Sequence, residues 1–132
     1  MRARVETADG VFTVDLEAEE VLGFDADEHL PAPEPVELPL PGVIAVAARG
    51  STRIAVVDRR PPIVVSYDAG VTWTESGGGL PAGHAVAIDN DDPDLVLFAA
   101  RNRLYLSRDG GRFWHALTPE LPEIRAVAFT AV

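Results

Sequence analysis

The sequence predicts an all-β fold built from four-stranded repeats, and two observations carry this prediction. The first is a pair of segments with the pattern Ser-x-Asp-x-Gly-x-x-Trp, at residues 63–76 and 104–117. The second is a segment that opens with Leu-Pro and ends in Ala-Val-Ala, which begins at Leu40, Leu80 and Leu121. These features recur every 40 or 41 residues, a period typical of a β-propeller blade of about four antiparallel strands.

Each position of the repeated pattern has a structural reason. The short Asp folds its carboxylate back onto backbone N–H groups, and the Gly supplies a backbone conformation that a Cβ would oppose. The Trp opens the returning strand, where its ring fixes the hairpin and its N–H finds a partner. We therefore assign a structural role to eight residues: Ser66, Asp68, Gly70, Trp73, Ser107, Asp109, Gly111 and Trp114.

The two segments resemble the Asp-box, or BNR, repeat of sialidases, sortilin-type receptors and photosystem II assembly factors. The resemblance implies that each box is a turn between the third and fourth strands of a blade, on the face away from any active site. It is similar over residues 40–132 to the photosystem II assembly-factor type, which implies a protein that binds a partner rather than catalyses. Residues 1–39 match poorly. One fold hosts many functions, so the boxes indicate architecture more than activity.

The N-terminal residues 1–25 are predicted to form three strands. Apolar and polar residues alternate around the turn Ala8-Asp9-Gly10, which favours a hairpin. Thr13 and Asp15 stand where Ser and Asp stand in the boxes, but glutamates replace the Gly and the Trp. We interpret this as a degenerate third box. A connector follows at residues 26–39, which is too rich in proline and acidic residues to be a strand or helix.

The rest of the chain divides into blades. One blade occupies residues 40–79 and another residues 80–120, each starting with the small Ala-Val-Ala strand that suits the crowded propeller axis. Residues 121–132 hold one more such strand, which together with the N-terminal strands amounts to a blade split between the two termini. The interpretation is a single propeller unit of three blades over residues 1–132.

The split blade predicts how a ring could close. Closed propellers commonly build their last blade from both ends of the chain, which removes an unpaired edge. Rings usually contain about four to eight blades, so three should not close alone. We predict a homodimer with a six-bladed ring, in which each split blade combines strands of both subunits. The rival interpretation is a piece of a longer propeller.

Composition excludes several classes of function. The net charge of −10 argues against nucleic acid or an anionic membrane as partner, since both favour basic surfaces. The chain has no Cys, which excludes disulfides and thiolate metal sites. No stretch reaches the roughly 18 apolar residues of a membrane span, and residues 1–10 lack an apolar signal core. We expect a cytoplasmic protein.

Four arginines are the candidate binding residues: Arg59, Arg60, Arg101 and Arg103. The resemblance places them in turns between the second and third strands, on the loop face that usually binds ligands. Guanidinium groups match carboxylates and phosphates, which predicts an acidic protein or an anionic small ligand as partner. The alternative is that these arginines are solvated and balance an acidic chain.

No metal or cofactor is predicted. The acidic residues Asp89–Asp94 lack the ligand spacing of a calcium loop and suit a polar turn. The three histidines, His29, His84 and His115, are widely separated in the sequence.

An enzyme of the sialidase type is the alternative function. Resemblance to a sialidase would require an arginine triad, a Tyr nucleophile paired with a Glu, and an acidic general acid. Its first Arg usually stands in Arg-Ile-Pro, whereas here Arg53 and Ile54 are followed by Ala55. The two tyrosines, Tyr67 and Tyr105, lie in or beside the boxes, and a pair of carboxylates for glycoside hydrolysis is left open. We favour a non-catalytic scaffold that binds through its loop face, with a sialidase-type hydrolase subunit or remnant as the alternative.

Overall fold

A computed structural model describes residues 1–32, 38 and 40–130 of the chain. Within these ranges no helix is long and apolar enough to span a membrane. The strands of this part, in chain order, are β1 (Arg2–Thr7), β2 (Val11–Asp15), β3 (Glu20–Asp25), β4 (Val43–Arg49), β5 (Thr52–Val57), β6 (Ile63–Ser66), β7 (Thr74–Ser76), β8 (Ala85–Ile88), β9 (Val96–Ala99), β10 (Arg103–Ser107), β11 (His115–Glu120) and β12 (Ile124–Thr130).

The described strands form three four-stranded antiparallel sheets, as the sequence predicted. We call β4-β5-β6-β7 blade 1 and β8-β9-β10-β11 blade 2, because each follows the chain order. The third sheet has the order β12-β1-β2-β3, and we call it the composite blade. Its first strand comes from one end of the chain and its other three strands from the opposite end.

The composite blade is completed within one chain. Strand β12 pairs with β1 over the full strand length, from Arg2 opposite Thr130 to Thr7 opposite Ile124. The expectation that two subunits would share each split blade is therefore wrong for this structure. Pairing within one chain is possible because the connector between β3 and β4, about 17 residues, can span up to roughly 56 Å when extended. It is therefore long enough to lead from the composite blade to blade 1.

Blade 2 lies in the middle of an arc of three blades. One apolar cluster joins the composite blade to blade 2, with Val5, Val14 and Leu16 packed with Leu97 and Leu104. A second cluster joins blade 1 to blade 2 and is centred on the fully buried Phe98. The composite blade and blade 1 are therefore the two ends of the arc, and each presents one face that blade 2 does not cover.

The described parts of the connector lie against both ends of the arc. Near the composite blade, Glu28 pairs with Arg4, and the backbone N–H of Leu30 donates to Glu6 Oε1 at 2.7 Å. Near blade 1, Leu38 and Leu40 pack against a cluster on the face turned away from blade 2. The prediction that residues 33–37 and 39 continue an extended connector lies outside the described residues.

Candidate functional site

The first Ser-x-Asp-x-Gly-x-x-Trp segment forms a hydrogen-bonded turn between β6 and β7. The Ser66 hydroxyl donates to Asp68 Oδ1 at 2.7 Å and accepts from the Gly70 N–H at 2.8 Å. The Asp68 carboxylate also accepts from the backbone N–H and the hydroxyl of Thr72, at 2.9 and 2.6 Å. The Trp73 indole N–H donates to the Gly70 carbonyl at 3.1 Å. Each motif side chain is thus engaged inside the turn.

The second segment repeats this network between β10 and β11. Ser107 donates to Asp109 Oδ1 at 2.8 Å and accepts from Gly111 N–H at 2.9 Å. Asp109 Oδ1 accepts from the backbone N–H of Phe113 at 2.9 Å, and Trp114 donates to the Gly111 carbonyl at 3.1 Å. The motif serines and carboxylates are therefore used for folding rather than held free for catalysis.

These turns share one face with the turns between the first and second strands of each blade. The backbone N–H of Ala69 donates to the Ser51 carbonyl at 2.9 Å, and the N–H of Gly110 donates to the Asp94 carbonyl at 2.9 Å. We call this side the turn face. The acidic segment Asp89–Asp94 belongs to it and forms a turn, in which Asp92 Oδ1 accepts from the Asp94 N–H at 3.0 Å.

The segment predicted to be a degenerate third box keeps the contacts of its Asp but has no equivalent of the other contacts in the two turns. Asp15 Oδ1 accepts from the backbone N–H groups of Glu17 and Ala18, both at 2.9 Å. Glu19 adopts a positive φ of 56° and reaches blade 2, where its carboxylate accepts from the Thr118 N–H at 2.7 Å. This turn is shorter than the other two, and Glu19 within it joins the composite blade to blade 2.

Hydrogen bonding stabilises the charged form of Asp68. The bonds from the Thr72 hydroxyl, the Thr72 N–H and the Ser66 hydroxyl lower the pKa of Asp68 from an ordinary 3.8 to about 2. In the second turn, burial raises the pKa of Asp109, but bonds from Phe113, Ser107 and Arg112 outweigh it, and the net shift is downward. Both carboxylates are charged at neutral pH, which suits acceptors and excludes general acids.

The opposite side of the arc carries the predicted arginines, and we call it the loop face. Arg60, Arg101 and Arg103 line one cleft of about 450 Å³, together with His84 and Tyr105. Pro81, Ala82 and Glu120 complete part of its wall. Arg59 is exposed beside Arg60 but does not line this cleft. Three of the four predicted arginines thus come together.

Backbone contacts hold the cleft in place. The Arg101 carbonyl accepts from the Ile124 N–H at 2.8 Å, and the Asn102 carbonyl accepts from the Leu121 N–H at 2.9 Å. Arg103 was expected in the turn but is the first residue of β10, where it meets Glu120 at 3.4 Å. Among the described residues, the Arg60 and Arg101 guanidinium groups have no carboxylate within ion-pair distance.

The structure adds residues to the loop face that the sequence motifs do not indicate. Tyr105 and Glu120 lie in the arginine cleft, and Arg125 lines a neighbouring trough at the axis of the arc. A sequence signal for Arg125 existed, since it occupies the same repeat position as His84. Elsewhere in residues 1–32, 38 and 40–130, no three His or acidic side chains are placed to hold a metal ion.

The sequence matches no known family profile. It also matches no curated protein. Solved structures nevertheless resemble it. YCF48 bound to D1 peptide is similar over 93% of this chain, with 16% identity and a TM-score of 0.51, and the chain spans 38% of its length. The GH74 enzyme of Niastella koreensis is similar over 96% of the chain, with 18% identity and a TM-score of 0.50, and the chain spans 20% of its length. Both are propellers, so the likeness identifies the three sheets as blades of a β-propeller fold.

Proposed function

We propose that this chain is a non-catalytic propeller scaffold whose loop face binds an acidic protein segment or another anion. The observation that carries the proposal is the cleft that gathers Arg60, Arg101 and Arg103 with His84. The chain as a whole has a net charge of −10, so this concentration of basic side chains runs against its composition. We also propose that the two turns on the opposite face are Asp-box repeats with a structural role.

The chemistry of the cleft favours carboxylates. Guanidinium groups donate parallel hydrogen bonds to a carboxylate or phosphate. Arg103 is engaged with the exposed Glu120, whereas Arg60 and Arg101 are exposed and unpaired within the described part of the chain. Two guanidinium groups are therefore available to an incoming anion without breaking an internal ion pair. A peptide-bound propeller among the structural neighbours supports a protein partner as one form of this ligand.

The test uses a fluorescein-labelled hexaglutamate peptide as the probe. We expect it to bind the chain measurably by fluorescence anisotropy at low salt, and to bind the Arg60→Ala/Arg101→Ala variant at least tenfold more weakly. The matched control is Arg49→Ala/Arg108→Ala, which removes the same charge from exposed positions elsewhere. An equal loss in both variants would mean that general charge, rather than the cleft, attracts the peptide.

The hydrolase alternative gains one observation from the cleft. The resemblance to sialidases implies a Tyr and Glu beside arginines, and Tyr105 and Glu120 line the same cleft as Arg60, Arg101 and Arg103. Tyr67 does not fit that role, because its hydroxyl donates to the Gly110 carbonyl at 2.8 Å and burial raises its pKa. Release of 4-methylumbelliferone from its sialoside, lost in Tyr105→Phe, would establish the hydrolase. If the sialoside is not hydrolysed, the non-catalytic scaffold is left as the proposed function.

We further propose that a second copy of the chain closes the arc into a six-bladed ring. Since each composite blade is complete in itself, the contact would join the uncovered faces of the end blades rather than exchange strands. Light scattering over a range of concentrations tests this, with a mass near twice 14.1 kDa as the expected result. A monomer at every concentration would mean that the connector covers the ends without a partner.

A further inference from the structure

A second concave site lies beside the arginine cleft, at the axis of the arc. The inner strands β4, β8 and β12 surround a trough of about 250 Å³. Its walls are mostly small or branched apolar side chains, including Ala45, Val86 and Ala126, and Leu30 and Pro31 of the connector complete it. The alanines leave the space open, because larger side chains at these positions would fill it.

Two basic side chains stand at equivalent repeat positions in this trough. Ile44, His84 and Arg125 each follow the Leu-Pro start of their repeat by four residues, and all three line the trough. The fold therefore places the side chain at this repeat position of each blade around the axis. Blade 1 supplies an apolar group there, while blade 2 and the composite blade supply groups that can donate hydrogen bonds.

The start of β8 holds His84 firmly. The His84 N–H donates to the Ala99 carbonyl at 2.8 Å. The preceding Gly83 packs so closely that a Cβ there would lie 2.2 Å from Phe98 Cε1. His84 is thus anchored to the buried centre of blade 2 while its own side chain stays exposed to the trough and the arginine cleft.

The polarity of the trough selects one class of ligand. Among the described residues that line it there is no Asp or Glu, and His84 and Arg125 are those whose side chains carry N–H donors. Neither side chain makes a hydrogen bond or ion pair with any other residue that the structure describes. An apolar wall beside the Arg125 guanidinium and the imidazole of His84 complements a molecule that carries a carboxylate on a short apolar chain.

We propose that this axial trough binds a small apolar carboxylate. The carboxylate lies against Arg125 and His84, and the chain lies along the alanine and valine wall. The volume is just below the range of about 300 to 1,000 Å³ for drug-sized ligands, so the ligand is short. The site does not use Arg60 or Arg101, so it can be tested independently of the proposed binding of an acidic partner.

Hexanoate is the probe, titrated into ¹⁵N-labelled protein and followed by amide chemical shifts. We expect the shifts to centre on β8 and β12 and to saturate. Arg125→Ile installs the residue type that blade 1 carries at the same position and should weaken binding at least tenfold. Ala126→Leu should also weaken binding, since it fills the trough and leaves Arg125 and His84 in place.

Two controls separate this site from its neighbours. Arg108→Ile removes an equal charge from the turn face and should leave hexanoate affinity unchanged. Hexan-1-ol has the same chain without the charge and should bind at least tenfold more weakly than hexanoate. Thermal unfolding verifies that Arg125→Ile and Ala126→Leu are folded. If Ala126→Leu is unfolded, the binding measurement on Arg125→Ile, a change at an exposed residue, is the test of the proposal.

Three results would overturn the proposal. Equal affinity for hexanol would show an apolar surface without carboxylate recognition. Shifts confined to the Arg60 and Arg101 turns, lost in Arg101→Ala but not in Arg125→Ile, would assign the anion to the arginine cleft and support only the proposed function. Absence of saturable shifts for hexanoate would remove the trough as a carboxylate site and leave the peptide experiment unaffected.

Discussion

The two Ser-x-Asp-x-Gly-x-x-Trp turns have the same internal hydrogen bonds but different neighbours. In blade 2, Trp114 lies in the cluster between two blades, 5.9 Å from the ring of Phe98, and its N–H also approaches Ser76 Oγ at 3.3 Å. In blade 1, Trp73 packs on the outer face of its own blade, near Leu38 and Leu40. One motif therefore joins blades, while the other faces an uncovered end of the arc.

This difference separates what the motif does by itself from what its position adds. The turn geometry follows from local residues, since both copies form it in different surroundings. The stabilisation from the Trp ring follows from what it packs against. The turn at the middle of the arc also contacts blade 1, where Ser76 donates to the Gly111 carbonyl and Tyr67 donates to the Gly110 carbonyl. The turn of blade 1 has no equivalent blade beyond it.

The largest expected effect comes from truncating the tryptophans. Trp114→Ala should lower the free energy of unfolding by about 3 kcal/mol, because it leaves a cavity between two blades. Trp73→Ala, the matched change at the end of the arc, should cost at least about 1 kcal/mol less. Urea denaturation of both variants gives the comparison. Equal losses of stability would indicate that Trp73, on the outer face of blade 1, is packed as tightly as Trp114 is between two blades.

A smaller and equal effect is expected from the two serines. Ser66→Ala and Ser107→Ala each remove a buried hydroxyl that donates to a carboxylate and accepts from a glycine N–H. Each should lower the free energy of unfolding by about 1–2 kcal/mol. Chemical denaturation measures both. Binding of the hexaglutamate peptide should stay unchanged, and its loss would contradict a purely structural role for the turns.

The smallest expected effect is a difference in acid stability. The folded pKa of Asp68 is about 2, below its ordinary 3.8, so the unfolded chain binds the proton more readily. The stabilisation is therefore complete above about pH 5 and is lost as the pH falls from about 4 to 2. Asp68→Asn should be less stable than the parent near pH 6, and the gap should narrow by pH 2. A gap that is constant with pH would show that the charge of Asp68 contributes nothing.

Local patterns predicted the blades well. The 41-residue offset between Ser66 and Ser107, and the Leu-Pro repeats, placed the strands because turn chemistry acts over a few residues. The arc could not be predicted in the same way. Whether β12 pairs with β1 of its own chain depends on the path of the connector. The connector contains neither a repeat nor a recognisable turn motif from which that path could be predicted.

The candidate site was predicted in part for the same reason. Arg60 and Arg101 were correctly placed in turns because the boundaries of those turns are clear in the sequence. Arg103 was placed in a turn but is the first residue of β10. Glu120 lies opposite Arg103 across the paired strands β10 and β11, and Tyr105 lines the same cleft, an arrangement that depends on register. Arg125 was not predicted because it lies in a strand rather than a turn, although it occupies the same repeat position as His84.

The pairing of β1 with β12 also has a consequence for the order of folding. Blades 1 and 2 are built from successive hairpins, whose strands meet after short loops close. The composite blade joins Arg2 to Thr130, so nearly the whole chain is the loop that must close. Contacts between distant residues carry the larger closure entropy and slow folding. Blades 1 and 2 can therefore form from local hairpins, and we expect the pairing of β1 with β12 to form after them.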